Sequence, residues 1–330
     1  MKKIFALLLS AALLVTLLAA CGGGNTTDTD TDTQEPATDA STTQVEEQEP
    51  DTGDASKDDP LNQDEIGEKE LLVVSFGTSY NDSRRETIGA IEKAMQTAFP
   101  DYSVRRAFTS QIIIDHVKDR DGVTIDNVDQ ALERAVNNGV KTLVVQPTHL
   151  MNGLEYEELT DELAKYSDSF EKIAIGDPLL TSDADFEAVM TAITDATKDA
   201  ADGKTAICFM GHGTTADSNS VYSKMQTLLT DKGFNDYYVG TVEATPSLDD
   251  VLAAVQKGSY EKVVLRPLMI VAGDHANNDM AGDEDDSWKS TFEKAGYTVD
   301  CQVEGLGQLE AIQQLFVEHA KAAVASAEAE

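Results

Sequence analysis

Three side chains in the second half of the chain have the types and placement to hold a metal ion. His212 sits between Gly211 and Gly213, directly after the apolar run Ala206–Met210. Glu243 follows Tyr237–Val242, and His275 follows Leu265–Ile270 within the stretch PLMIVAGDHANNDMAGDEDDSWK. Each run reads as a buried strand, so each donor falls at a strand exit. Strands of one parallel sheet end on one edge, which lets side chains far apart in sequence converge there. Two imidazoles and a carboxylate suit a divalent first-row metal with open coordination positions, and cobalt, nickel, iron and zinc all accept that set. The glycines beside His212 permit a sharp turn and leave room for a flat or bulky ligand to approach the imidazole. They do not make a dinucleotide fingerprint, because Ala216 stands where the third glycine of G-x-G-x-x-G belongs.

The elements that would carry these donors recur from Leu71 onward. Short Val/Ile/Leu runs alternate with segments of helical period, the pattern of an α/β fold with a parallel sheet flanked by helices. Leu71–Phe76 is the first strand, Gly77-Thr78-Ser79 its exit turn, and Ile88, Ile91, Met95 and Phe99 form one face of a helix that ends at Pro100. Asp126 is the expected cap of a helix carrying Val128, Leu132, Ala135 and Val136, which stops at Gly139 before a strand over Val140–Val145. Lys172–Ile175 is a further strand and Asp183–Ala200 a helix. At Lys204 the scheme starts again: Leu71–Ser79 corresponds to Ala206–Thr214, and Val140–Gly153 to Glu261–Gly273. The expectation is two similar α/β domains, 70–200 and 201–330, facing one another across a cleft with the chemistry at the strand exits.

Ahead of them the chain has a different character. Lys2 and Lys3, the apolar run Ile4–Leu18 and then Leu18-Ala19-Ala20-Cys21 read as a lipoprotein signal peptide over residues 1–21, with lipidation at Cys21. Two acyl chains on that residue would anchor the protein to a membrane surface, outside the cytoplasm. Residues 22–69 are Thr, Asp, Glu, Gln, Ser and Pro with almost no large apolar side chain, and are expected to form a disordered acidic tether. The net charge of −35 argues for a soluble, repelling surface and against nucleic-acid partners. With Cys21 assigned to lipid, Cys208 and Cys301 remain, each in a strand-like run, which excludes a disulfide framework.

Several blocks carry a resemblance to a known family. LLVVSFGTSYNDSRRETI, RAFTSQIIIDHVKDRDGVTIDNVDQAL, THLMNGLEYEEL, FMGHGTTADSNSVY, GTVEATPSLDDVL and PLMIVAGDHANNDMAGDEDDSWK are similar to the anaerobic-pathway sirohydrochlorin cobaltochelatases, the CbiK-type class II chelatases. The match runs over essentially all of residues 70–320, and the block from Gly273 to Met280 is its most specific part. The resemblance implies two pseudo-symmetric chelatase-type domains and a metal-binding trio of His212, Glu243 and His275. It also implies insertion of a divalent metal, cobalt first among them, into a carboxylate-rich tetrapyrrole, with no nucleotide or redox cofactor.

That reaction needs these residue types. Two pyrrole protons must leave as the metal enters, and an imidazole with an ordinary pKa near 6.5 can hold a metal or accept a proton. His212 and His275 would do both in turn, and Glu243 would make the dication easier to strip of water. His149, at a strand exit of the first domain, and the hydroxyls of Ser75, Thr78 and Ser79 are candidate substrate contacts from the opposite wall. Among the arginines, Arg106 is the leading candidate to anchor a substrate carboxylate, with Arg84, Arg85, Arg105 and Arg266 behind it. His116 and His319 read as structural or exposed, and the run Asp283–Asp286 as the first turn of a helix.

A lipid anchor departs from a cytoplasmic biosynthetic enzyme. The alternative it raises is a metal- or haem-binding lipoprotein that serves uptake beside a transporter partner, with the chelatase fold but no turnover. A homo-oligomer is compatible with the sequence.

Overall fold

A computed structural model describes residues 51–329. The expected signal peptide, its lipidation site Cys21 and the expected tether up to residue 50 lie outside the described residues. Within them the first half contains β1 (Lys69–Ser75), α1 (Asn81–Glu86), α2 (Ile88–Ala98), β2 (Ser103–Phe108), α3 (Gln111–Asp121), α4 (Val128–Asn137), β3 (Thr142–Pro147), α5 (Leu154–Ala164), β4 (Lys172–Ile175) and α6 (Asp183–Thr197). The second half contains β5 (Thr205–Gly211), α7 (Ser220–Asp231), β6 (Tyr237–Thr241), α8 (Leu248–Val255), β7 (Lys262–Pro267), α9 (Trp288–Lys294), β8 (Thr298–Cys301) and α10 (Glu310–Ala329).

Each half builds a four-stranded sheet, in the orders β2-β1-β3-β4 and β6-β5-β7-β8, and every pairing is parallel. The central strands are covered on both faces, which is why they read as unbroken apolar runs. The same feature hides their register. Val74 lies opposite Pro147 and Met210 opposite Pro267, so these two residues occupy one rung of the two sheets. Leu71 is therefore the counterpart of Ile207, and setting it against Ala206 is one residue out, a slip that a strand with no inside-outside alternation cannot reveal.

The division at residue 200 separates the sheets but not the helices. The last helix, α10, returns to the first sheet, lying on β3 and β4 and against α2. The reverse crossing is made by α6, which packs beside α10 and α7 and whose Thr197 hydroxyl meets that of Tyr237 at 3.0 Å. One apolar core consequently runs through both sheets, from Leu71 and Val73 through Ile207 and Phe209 to Phe316.

Residues 51–69 differ from the expected tether. Asp58 is buried between Arg84 and Arg106, with contacts of 2.6 and 2.7 Å. Leu61 is buried, and its carbonyl accepts from the Arg106 amide at 3.1 Å. This strap satisfies and covers the exposed edge of β2, a strand that would otherwise present unpaired backbone to solvent. Its polar composition misled because the burial is of paired charge rather than of apolar surface.

Two local expectations change as well. The cap of α4 is Asn127, which forms a capping box with Gln130, while Asp126 pairs with Arg105 and Arg134. Ser287 caps α9, so Asp283–Asp286 lie before the helix; Asp283 and Asp285 reach forward to Lys289 and Lys294. Cys208 and Cys301 are free, and both lie on the rung of Leu265, one strand to either side of it. Two strand spacings of about 4.8 Å put them beyond disulfide reach.

Candidate metal centre

His212, Glu243 and His275 come together at the carboxyl edge of the second sheet, each offering a ligand atom within 4.8 Å of the others. His212 Nε2 is 4.0 Å from Glu243 Oε2, and the two imidazoles stand edge to face with centroids 4.7 Å apart. Donors 2.0–2.2 Å from one ion lie at most about 4.4 Å apart, so a closure of a few tenths of an ångström suffices to coordinate one. The side chains are 47, 58 and 32% exposed in that order. Three protein donors on one side and solvent on the other leave positions open for incoming ligand nitrogens.

The backbone explains why these donors meet. A Cβ at Gly211 would fall inside the Tyr222 ring, and one at Gly213, where φ is +90°, would be 2.9 Å from Ala244. Both glycines are required, which accounts for an imidazole held between them. The Glu243 amide donates to the His212 carbonyl at 2.9 Å, so the two ligand turns move as one. Tyr222, 1% exposed, accepts from the Gly213 amide at 3.2 Å and braces that turn from beneath.

Both imidazoles are oriented by acceptors on their Nδ1 side. His212 Nδ1 lies 2.7 Å from the Gly213 carbonyl, and His275 Nδ1 lies 2.8 Å from Asp279 Oδ2. An acceptor there fixes the proton on Nδ1 and leaves the Nε2 lone pair free for the metal. His275 begins a wide π-type turn over Ala276–Met280, and Asp279 four residues on returns to the same face. Sequence reasoning missed Asp279 and Tyr222; the i, i+4 spacing of His275 and Asp279 was the available signal.

The remaining expected site residues divide sharply. His149 is half-buried at the exit of β3, and both its ring nitrogens are shut off from solvent without a hydrogen-bond partner among the described residues. Burial pushes its pKa down to about 4, only partly opposed by Glu155, so the ring is neutral. Ser79 is half-buried, and its carbonyl accepts from Arg120. Ser75 and Thr78 are buried: the Ser75 hydroxyl bonds that of Thr148 at 2.6 Å, and Thr78 Oγ1 accepts from the Tyr80 amide. Arg106 does not face the cleft. It is 1% exposed and paired with Glu92 and Asp58, which hold its guanidinium charged. Arg84 and Arg105 are likewise buried in ion pairs, and Arg266 is paired with Glu304. Of the five arginines that are candidate carboxylate anchors in this acidic chain, with Arg106 foremost, the fold uses these four internally.

Two parallel sheets with an open two-histidine, one-carboxylate centre at the carboxyl edge of one of them define an α/β protein of the metal-chelatase class. The cobalt chelatase (CbiK) family matches residues 69–325, and the chain belongs to that family. It is 38% identical over 251 residues to the sirohydrochlorin cobaltochelatase of Salmonella typhimurium, covering 76% of this chain and 94% of that protein. It is 30% identical over 260 residues to the sirohydrochlorin cobaltochelatase CbiKC of Nitratidesulfovibrio vulgaris, covering 78% and 91%. Among solved structures, SirB from Bacillus subtilis with Fe3+ has the same fold, with a TM-score of 0.57 at 14% identity over 80% of this chain and 98% of that one. The chain is thus a metal-inserting enzyme whose substrate includes a divalent ion.

Proposed function

We propose that the protein inserts cobalt into sirohydrochlorin or a closely related tetrapyrrole at the outer face of a membrane, held there by lipid on Cys21. The observation that carries the reading is the trio: one nitrogen from each of two imidazoles and a carboxylate oxygen gathered within 4.8 Å on the open edge of the second sheet. The two curated relatives, both named for this reaction, support the substrate pair.

The residues divide the work as follows. His212, Glu243 and His275 take a partly dehydrated dication, with Glu243 supplying the negative charge that favours loss of water. The macrocycle enters between the lobes with its nitrogens towards the ion. As metal–nitrogen bonds form, the two imidazoles give up the ion and their freed lone pairs can take the departing pyrrole protons. Neutral His149, whose ring nitrogens lack a hydrogen-bond partner among the described residues, and Ser79 at the neighbouring exit are the first-lobe candidates for contact with the ring. Nickel, iron and zinc fit the same donors, so cobalt rests on the family rather than on the donor set.

Mixing the purified protein with cobalt and sirohydrochlorin and following the ring's absorption tests the reading. Acceleration that disappears in His212→Ala and His275→Ala supports it. Tight binding of ring or metal without turnover would favour the second reading, an uptake lipoprotein, which the Cys21 motif makes specific. Retention of the chain in the membrane fraction, and its release in Cys21→Ser, tests the anchor.

A further inference from the structure

The strap over residues 51–68 lies outside the residues matched by the family, yet it is built into the first lobe. Its contacts gather on α1. The Asp82 amide donates to the Thr52 carbonyl at 2.9 Å, and Asn81 Nδ2 donates to the Gly53 carbonyl at 3.1 Å. Gly53 is at φ +93°, where a side chain would collide with Asp82. Asp58 accepts from Arg84 Nε at 2.6 Å, and Arg84 in turn donates to the Thr78 carbonyl at 3.0 Å and to Asn81.

On its other side α1 grips the loop that carries His275. The Ala272 amide donates to Ser83 Oγ at 2.9 Å, a bond between the two lobes three residues before the imidazole. Beside it, a Cβ at Gly273 would be only 3.1 Å from Thr78 Oγ1, so the loop lies against the exit turn of β1. The route from strap to metal ligand is therefore continuous: Asp58 to Arg84, α1 to Ser83, Ser83 to Ala272, and then the turn that starts at His275.

We propose that Ser83 is a positioning residue for His275, and that the strap holds α1 where Ser83 can serve. Neither Ser83 nor Asp58 belongs to the donor trio. They act by keeping the imidazole within the few tenths of an ångström that coordination needs, and loss of such support costs a metal site about 10- to 100-fold in affinity. The inference rests on the trio as the metal site. It gives this chain a device that the family-matched residues alone do not contain, and it ties the N-terminal arm mechanically to the metal centre.

The test is a cobalt titration of the full chain, with thermal unfolding measured alongside. Ser83→Ala keeps a good helix former in α1 and is expected to weaken cobalt binding about tenfold. Ser83→Thr, which retains the hydroxyl, should stay within twofold of wild type. Asp58→Asn should weaken binding as well, and if it fails to fold the two Ser83 variants still decide. A Ser83→Ala protein that binds cobalt within twofold of wild type overturns the inference, whatever its unfolding temperature, because a merely structural hydroxyl would move only the latter. Wild-type protein that binds no cobalt would instead sink the trio and this inference together, a result that cannot be confused with the first.

Discussion

The two lobes share a topology and differ at their carboxyl edges. Counting along matched rungs, the positions of His212, Glu243 and His275 in the second lobe are filled in the first by Phe76, Ser110 and Glu155. One edge has three metal donors; the other has a half-exposed phenylalanine, a hydroxyl and a single carboxylate. Below the edges the contrast reverses. The first lobe buries charge in two networks, Asp58–Arg84–Arg106–Glu92 and Glu70–Arg105–Asp126–Arg134, while Arg266 of the second keeps a partner 54% exposed. Repetition of a fold supplied the same ledge twice, and the donors decide which ledge holds metal.

The largest expected effect lies at the second edge. His212→Ala or His275→Ala should lower cobalt affinity and turnover by about three orders of magnitude or more, since a two-donor site cannot strip and hold the ion. Calorimetric titration and ring absorption read the two losses, and both variants should unfold within about 0.5 kcal/mol of wild type, as exposed ligands do.

Next comes the first lobe's buried charge. Asp58→Ala leaves Arg84 without a carboxylate and Arg106 with Glu92 alone, a change expected to cost about 3–5 kcal/mol in urea unfolding. Equal stability in that variant would show that the strap is ornamental and that the lobes are more alike than their charges suggest.

Glu70 gives a pH-dependent version of the same contrast. Burial pushes its pKa up to about 7, and Arg105 at 3.6 Å with no hydrogen bond is too loose a partner to offset that. The acid form is favoured in the fold, so this group's contribution is complete below about pH 4.5 and is lost as pH rises towards 7. Glu70→Gln removes the loss. The stability of the variant relative to wild type should rise between pH 4.5 and 7, by about 3 kcal/mol at most, and then level off; a flat difference contradicts it.

Asp279→Asn should have the smallest of these effects, a 10- to 100-fold weaker metal site with the trio intact, because the amide can present its NH₂ to His275 Nδ1 and loosen the tautomer. Unchanged affinity would mean that the π-type turn alone aims the ring.

Much of this was legible in the sequence because strand exits are marked by abrupt changes of residue type. His212, Glu243 and His275 each follow an apolar run, and parallel strands end on one edge, so topology permitted their convergence, while the resemblance of the MGHG, VE and AGDH blocks singled them out. Partnership was not legible. Arg106 in RAFTS has the same one-letter appearance whether it meets a substrate carboxylate or Glu92 and Asp58, and the pairing depends on a strap dozens of residues away. Ser75 and Thr78 carry the same ambiguity: a hydroxyl at a strand exit can bond a neighbouring exit, as Ser75 does with Thr148, or its own turn, as Thr78 does with Tyr80, as readily as a ligand. The return of α10 to the first sheet was hidden because an amphipathic helix does not state which sheet it covers.

The most direct test of the central claim is X-ray absorption at the cobalt edge on the full chain loaded with less than one equivalent of Co2+. Two imidazole nitrogens and one carboxylate oxygen, with one imidazole lost in His275→Ala and one in His212→Ala, are the predicted result. An all-oxygen hydrated ion, or a spectrum that neither substitution changes, would contradict the account.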